Sequence, residues 1–353
     1  MKSLKYQSHS VGELLPTHKF VKKNSVDSTL SIKIIPVTKE INKLSPRLQA
    51  VHDLLLNSTI TKEKKIGEGY GNNTTIWKVS VKINTAYDKS TIHNLSSVEK
   101  NLEHCCMKEL SIDNSCTEDV KSFLEEVNKL SRLPSDNDHI IKFIGYQETL
   151  EHIRVFTKLY NGSLRNIIAQ MKDKNILFTQ DQIFQYMKQI SSGLSVLHSR
   201  RMMHRDLKSA NIFYEGTLDD FNLVLGDFGE SKVIDRRNKA KTCVGTNVWI
   251  APEVLNSHNK NVYSFSADVY SFGMVVYEMM TLHTPFGKKR SFSAITKILK
   301  GDKPDLTEDQ KEKYSDVLLL WNQMIDFFPE KRPTAGQIYC DLLSKEEKIL
   351  VDL

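Results

Sequence analysis

The chain has 353 residues, 40% of them hydrophobic and 26% charged, which exceeds the usual size of a single core and suits a two-lobed soluble protein with appendages. This composition excludes a mainly disordered chain, and no uninterrupted apolar run reaches the roughly 18 residues that a membrane-spanning helix needs. The net charge of +6 is uneven, because residues 1–65 hold twelve Lys/Arg against five Asp/Glu.

Residues 1–60 read as a basic, partly disordered extension, rich in Ser, Lys and Thr, with short β-like runs such as Leu30 to Val37. Its positive residues alternate with apolar ones and form no dense block, which favours a solvated tail. Contact with an acidic partner or a membrane surface is the competing reading, and nucleic acid is not expected. From Lys64 to Ile83 two β-prone runs flank a glycine-rich turn and predict a hairpin. Residues 84–101 are polar without a period and read as a surface insertion before the apolar run Cys105 to Leu110. Thr117-Glu118-Asp119 opens a helix whose apolar positions are Val120, Phe123, Leu124, Val127, Leu130 and Leu133, ending at Pro134. Two β-like runs follow, Ile140 to Tyr146 and His152 to Leu159, and after Asn161-Gly162 amphipathic helical runs take over at 164–171, 181–198, 266–282 and 315–327. The fold class is therefore α+β, a small β-rich lobe followed by a larger helical one. Five scattered cysteines without Cys-x-x-Cys spacing, and no signal pattern, point to a reducing, cytoplasmic setting.

Four patterns carry chemistry. His204-Arg205-Asp206-Leu207-Lys208-Ser209-Ala210-Asn211 sets an acid that can accept or orient a hydroxyl proton five residues before an amide that can hold a metal ion. Asp227-Phe228-Gly229, 21 residues after Asp206, supplies a second acid. Ile66-Gly67-Glu68-Gly69-Tyr70-Gly71 sits in the hairpin turn, where glycines let backbone N–H groups approach phosphates. Lys108 closes the next strand, and Glu126 lies 18 residues on, with Glu125 as its neighbour and competitor.

In this order, from about residue 63 to 345, the motifs resemble eukaryotic protein kinases of serine/threonine type. Trp249-Ile250-Ala251-Pro252-Glu253 and Gly145-Tyr146 resemble the tyrosine-kinase-like branch. The resemblance implies the two-lobed kinase fold over residues 61–347, with an N-lobe at 61–159 and a C-lobe at 160–347. It implies ATP and Mg2+ as cofactors and a protein substrate. Asp206 is then catalytic, Lys208 neutralises the transferring phosphate, Asn211 and Asp227 hold the metal, and Lys108 contacts the α- and β-phosphates while paired with Glu126. Glu126 is preferred to Glu125 because Phe-Leu-Glu-Glu-Val-Asn-Lys-Leu matches the family pattern. Ile66 through Gly71 cover the nucleotide, Thr157 is the gatekeeper, and Leu159 belongs to a hinge that starts with Lys158 where an acid is common. The glycine loop departs from the family: its third glycine falls near Thr74, with about two extra residues in the tip.

Further along, Gly245 to Glu253 resembles the peptide-binding shelf, Asp268 a scaffold acid that binds the catalytic-loop backbone, and Arg332 the partner of Glu253. Arg205 before the catalytic Asp suggests control by a phosphate on the activation loop, with Thr242 as acceptor and Thr246 reserved for substrate alignment. Two other readings stay open, a non-catalytic kinase-fold scaffold and a small-molecule kinase.

Overall fold

The computed structural model describes residues 46–68, 73–84, 101–113, 115–134, 136–229, 232–233, 248–256, 264–287 and 292–351. All fall in the unit Leu44–Leu353. The first lobe contains, in chain order, α1 (Pro46–Leu56), β1 (Ser58–Glu68), β2 (Thr74–Ile83), β3 (Cys105–Ser111), α2 (Thr117–Leu130), β4 (Phe143–Glu148) and β5 (His152–Lys158). The strands form one antiparallel sheet in the order β1-β2-β3-β5-β4. Alternation along the strands separates its faces: Val79, Cys105, Met107 and Phe156 join an apolar core, while Ile76, Cys106, Lys108 and Val155 line a cavity.

Helix α2 opens with Glu118 and Asp119, and the Asp119 carboxylate accepts the Cys116 backbone N–H at 3.4 Å. It buries Phe123, Glu126, Val127 and Leu130, the face predicted from the sequence. It stops at Leu130, one turn before the expected end at Pro134.

Helix α1 lies inside the stretch that the sequence reads as a basic, partly disordered extension. The expected boundary at residue 60 falls within β1, which starts at Ser58, and Val51, Leu54 and Leu55 ahead of it are fully buried against the apolar face of the sheet. Three of its last carbonyls are capped by side chains: Asn57 Nδ2 donates to Asp53 O at 2.8 Å, Ser58 Oγ to Leu54 O at 2.7 Å and Gln147 Nε2 to Leu55 O at 2.6 Å. The seat is tight, since a Cβ on Gly145 would lie 2.5 Å from Val51 Cγ1. Next to it, the His52 ring stacks on Tyr146 at 4.6 Å.

The second lobe runs β6 (Gly162–Ser163), α3 (Leu164–Asp173), α4 (Gln180–Ser199), β7 (Met202–Met203), β8 (Ile212–Gly216), β9 (Phe221–Leu225), β10 (Lys232–Val233), α5 (Pro252–Asn256), α6 (Phe265–Thr281), α7 (Phe292–Lys300), α8 (Glu308–Lys313), α9 (Ser315–Met324) and α10 (Ala335–Val351). Helix α6 is buried along nearly its whole length, which fits a sequence apolar on every side. The segment 204–211 is suspended between β7 and β8, and β8 pairs with β6 and β9 to form a small sheet beneath the first lobe's cavity face.

Candidate active site

A cavity of about 440 Å3 separates the five-stranded sheet from the second lobe. Ile66, Ile76, Cys106, Lys108, Val155 and Thr157 come from the sheet, Glu126 from α2, and Asn211, Phe213, Asp227 and Phe228 from below. Lys108 Nζ donates to both oxygens of Glu126, at 2.8 and 2.6 Å. Burial alone would drive the Lys108 ammonium toward its neutral form, but Glu126, and then Asp227, outweigh it and hold its pKa above the ordinary lysine value. The lysine is thus a fixed positive charge on the cavity wall. Glu125, the competitor, is exposed on the outer side of the helix.

Across the cavity, Asp206 Oδ2 accepts Lys208 Nζ at 2.6 Å and Asn211 Nδ2 at 2.9 Å, and Asn211 Nδ2 also reaches the Asp206 carbonyl at 2.8 Å. The loop that presents them is held by a buried acid in α6. Asp268 accepts the backbone N–H groups of His204 and Arg205, at 2.9 and 2.8 Å, and His198 Nε2 at 2.9 Å. Burial would raise the Asp268 pKa, yet His198 and these neighbours overcome it and keep it below the usual aspartate value. His204 Nε2 is 3.0 Å from the Gly226 carbonyl, which ties the loop to the segment before Asp227. Asp227 itself has φ 55°, a left-handed conformation that costs a non-glycine residue strain and is held here beside the buried Phe228 ring.

Beside the loop, Glu278 of α6 accepts Ser209 Oγ at 2.9 Å and Trp249 Nε1 at 2.8 Å. Its partners are neutral, and burial pushes its carboxyl up to about 7. Glu253 and Arg332 form a two-bonded pair at 2.8 and 2.9 Å under the segment that resembles the peptide shelf.

The structure therefore brings Ile66, Lys108, Glu126, Thr157, Leu159, Asn211 and Asp227 to one cavity, with Asp206 and Lys208 joined to it through Asn211. Gly67 and Glu68 end β1 without lining the cavity; Gly67 packs over Ile76, and Glu68 pairs with Lys65 at 2.7 Å. Gly69, Tyr70, Gly71, Thr242 and Thr246 lie outside the described residues, as do residues 85–100 of the expected insertion. The expected hinge Lys158-Leu159-Tyr160 lines the cavity, whereas Ile76, Cys106, Val155 and Phe213 are lining residues that motif reading missed, although strand alternation from Lys108 points to Cys106, and Phe213 follows Asn211 by two. Burial pushes the Cys106 thiol up to about 11, so it lines the cavity as a neutral group.

Asp227 and Asn211 are both oxygen donors on the same cavity wall. With the Asn211 nitrogen committed to Asp206, its Oδ1 is the atom left to offer. Among the described residues no group of three or more His, Cys, Asp or Glu could hold an ion. That donor set fits magnesium, which takes one or two protein oxygens and completes its shell with water and phosphate.

The family model for the protein kinase domain matches residues 91–343. The chain belongs to this family. The match starts beyond α1, β1 and β2, so those parts of the kinase N-lobe lie upstream of it. Among curated relatives, the kinase domain is 34% identical over 229 residues to mitogen-activated protein kinase kinase kinase 1b of Physcomitrium patens, covering 64% of this chain and 27% of that protein. The 1a protein of the same organism is 36% identical over 64% of this chain and 27% of its own length. A Raf homolog serine/threonine-protein kinase of Caenorhabditis elegans is 28% identical over 66% of this chain and 29% of its own. The matched stretch thus spans little more than a quarter of these relatives. The resemblance to the tyrosine-kinase-like branch of serine/threonine kinases stands with them. Among the described residues no helix is long and apolar enough to cross a membrane.

Proposed function

We propose that this kinase domain is an active protein serine/threonine kinase that transfers the γ-phosphate of ATP to a Ser or Thr hydroxyl of a protein substrate. The observation that carries the reading is the coexistence, around one cavity, of the Lys108–Glu126 pair, the Asp206–Lys208–Asn211 cluster and Asp227. Lys108 would bind the α- and β-phosphates with the part of its ammonium not engaged by Glu126, while Thr157, Leu159 and the apolar lining hold the base. Asp206 would orient the substrate hydroxyl and take its proton as the oxygen forms a bond to the γ-phosphorus and the bond to the β-phosphate oxygen breaks, releasing ADP. Lys208 would neutralise the transferring group. Asn211 and Asp227 would hold Mg2+, which when bound neutralises charge on the phosphate oxygens. Lys208 two residues after Asp206, and the likeness to the Caenorhabditis elegans Raf homolog serine/threonine-protein kinase, support serine/threonine chemistry.

A cytoplasmic setting belongs to the same proposal, and free thiols at Cys105, Cys106, Cys116 and Cys340 support it. Radiolabelled ATP with generic protein substrates tests the reading: the wild type should transfer phosphate to Ser and Thr. Asp206→Asn should abolish transfer and leave nucleotide binding largely intact. Nucleotide binding without transfer by the wild type would favour the scaffold instead.

A further inference from the structure

On the sheet face opposite the cavity, a line of polar side chains runs beside the apolar core. Glu109 is 7% exposed and Gln147 4% exposed, and both sit among residues that could have been hydrophobic. Lys62 of β1 passes over the Trp77 ring of β2 at 4.9 Å and donates to Glu109 Oε1 of β3 at 2.6 Å. Arg154 of β5 donates through Nε to Glu109 Oε2 at 2.7 Å and through Nη1 to Gln147 Oε1 of β4 at 2.7 Å. Gln147 then donates to the last-turn carbonyl of α1, Leu55 O. The line crosses all five strands in spatial order and ends on the helix.

Burial alone would push the Glu109 carboxyl up, but the Lys62 and Arg154 donors outweigh it and hold it below the usual carboxylate range. Such a buried ionic group is a poor way to gain stability, since well-packed apolar residues of similar volume often do as well or better. What it adds is register. Hydrogen bonds between cross-strand partners fix how far each strand sits along its neighbour, and Glu109 faces Arg154 as Arg154 faces Gln147. Glu109 is the residue after Lys108, so a shift of β3 that moves one moves the other. A misplacement of about 1 Å in a reacting constellation costs on the order of a hundredfold in rate.

We propose that α1 is a positioning element for Lys108, acting through the row Gln147, Arg154, Glu109 and Lys62. The inference rests on the phosphotransfer reading above and assigns to a helix outside the recognised motifs the task of holding the phosphate-binding lysine in place. Loosening α1 on β4 relaxes the row, and the loss appears in nucleotide affinity before it appears in peptide binding.

The test uses the full chain, a fluorescent ATP analogue with Mg2+, a generic peptide substrate and thermal unfolding. Gln147→Met keeps the shape and removes both hydrogen bonds; its nucleotide dissociation constant should rise roughly threefold to thirtyfold with the peptide KM unchanged. Val51→Ala, which loosens the helix without touching the row, should reproduce the effect. The double variant should be no worse than the larger single one, because both act through one brace. Glu109→Gln serves where Gln147→Met does not fold. Nucleotide affinity unchanged within about twofold while the melting temperature falls, or two effects that simply add, overturns the proposal and leaves the row a structural tie. A wild type that binds no nucleotide overturns the phosphotransfer reading itself and this inference with it.

Discussion

The cavity wall and the base of the shelf each rest on a glutamate held against a cation in the interior, buried at Glu126 and mostly buried at Glu253, and they use it in opposite ways. At the shelf the Arg332 side chain is wholly enclosed. Its nitrogens serve both oxygens of Glu253 and the carbonyls of Ser266, Asp326 and Phe327, and its plane lies 4.9 Å from the Tyr270 ring centre. At the cavity Lys108 spends its bonds on one carboxylate and borders open space. A planar guanidinium that has filled its valence makes a permanent joint, whereas an ammonium held from one side stays available to a ligand. Burial of a salt bridge therefore does not by itself mark a catalytic site; the difference lies in whether the cation has donors left and somewhere to point them.

The strongest way to break this contrast is Arg332→Ala. It leaves the mostly buried Glu253 without its cation and three backbone carbonyls without their donor, and the expected cost is ~3–5 kcal/mol in denaturant unfolding. An unfolding curve close to wild type would refute the permanent joint. Lys108→Met should do the reverse, cutting phosphate transfer by about 10²–10³-fold while stability falls much less, because Glu126 keeps the cavity beside it. Equal losses of stability in the two variants would erase the distinction.

Glu278 sharpens it from a third direction, since its donors are a hydroxyl and an indole rather than a cation. With its pKa raised from the ordinary 4.5 to about 7, its contribution to stability is full below about pH 4.5 and is lost as the pH rises through about 7. Glu278→Gln removes the charge and keeps an acceptor for Trp249, while its amide N–H donates to a Ser209 hydroxyl that turns to accept. Its melting temperature should gain on the wild type between pH 5 and 8, by at most ~3 kcal/mol in stability; parallel pH profiles would show that Glu278 does not titrate in that window. The smallest effect belongs to Glu125→Gln, exposed on the far side of α2, which should stay within about 0.5 kcal/mol in stability and near full activity.

The candidate cluster was legible in the sequence because the proposed reaction calls for particular residue types at fixed spacing, and Asp206, Asn211, Asp227, Lys108 and Glu126 stand at those spacings and gather around one cavity. The scaffold acid Asp268 and the pair Glu253–Arg332 were legible for the same reason. Helix α1 was obscured by its neighbours' charge, although Pro46 at a helix start followed by Ala50, Val51, Leu54 and Leu55 on one face is an amphipathic signal. The row through Glu109 gave no sign at all. An acid, an arginine and a glutamine in three β-prone segments look like solvent-facing positions, and only the sheet order β3-β5-β4 sets them side by side under a helix. The apolar cavity lining escaped for a similar reason, since Ile76, Val155 and Phe213 are ordinary strand residues until the lobes face each other.

The cover that α1 gives the sheet bears on how the chain could be shortened for laboratory production. A chain started at residue 61, where motif reading would place the domain edge, would bare Cys105, Met107 and Phe156 on the apolar face of the sheet and leave Gln147 without its carbonyl. Such a fragment should come out of expression as aggregate, while one begun a turn ahead of Pro46 keeps the lid on its own hydrophobic surface.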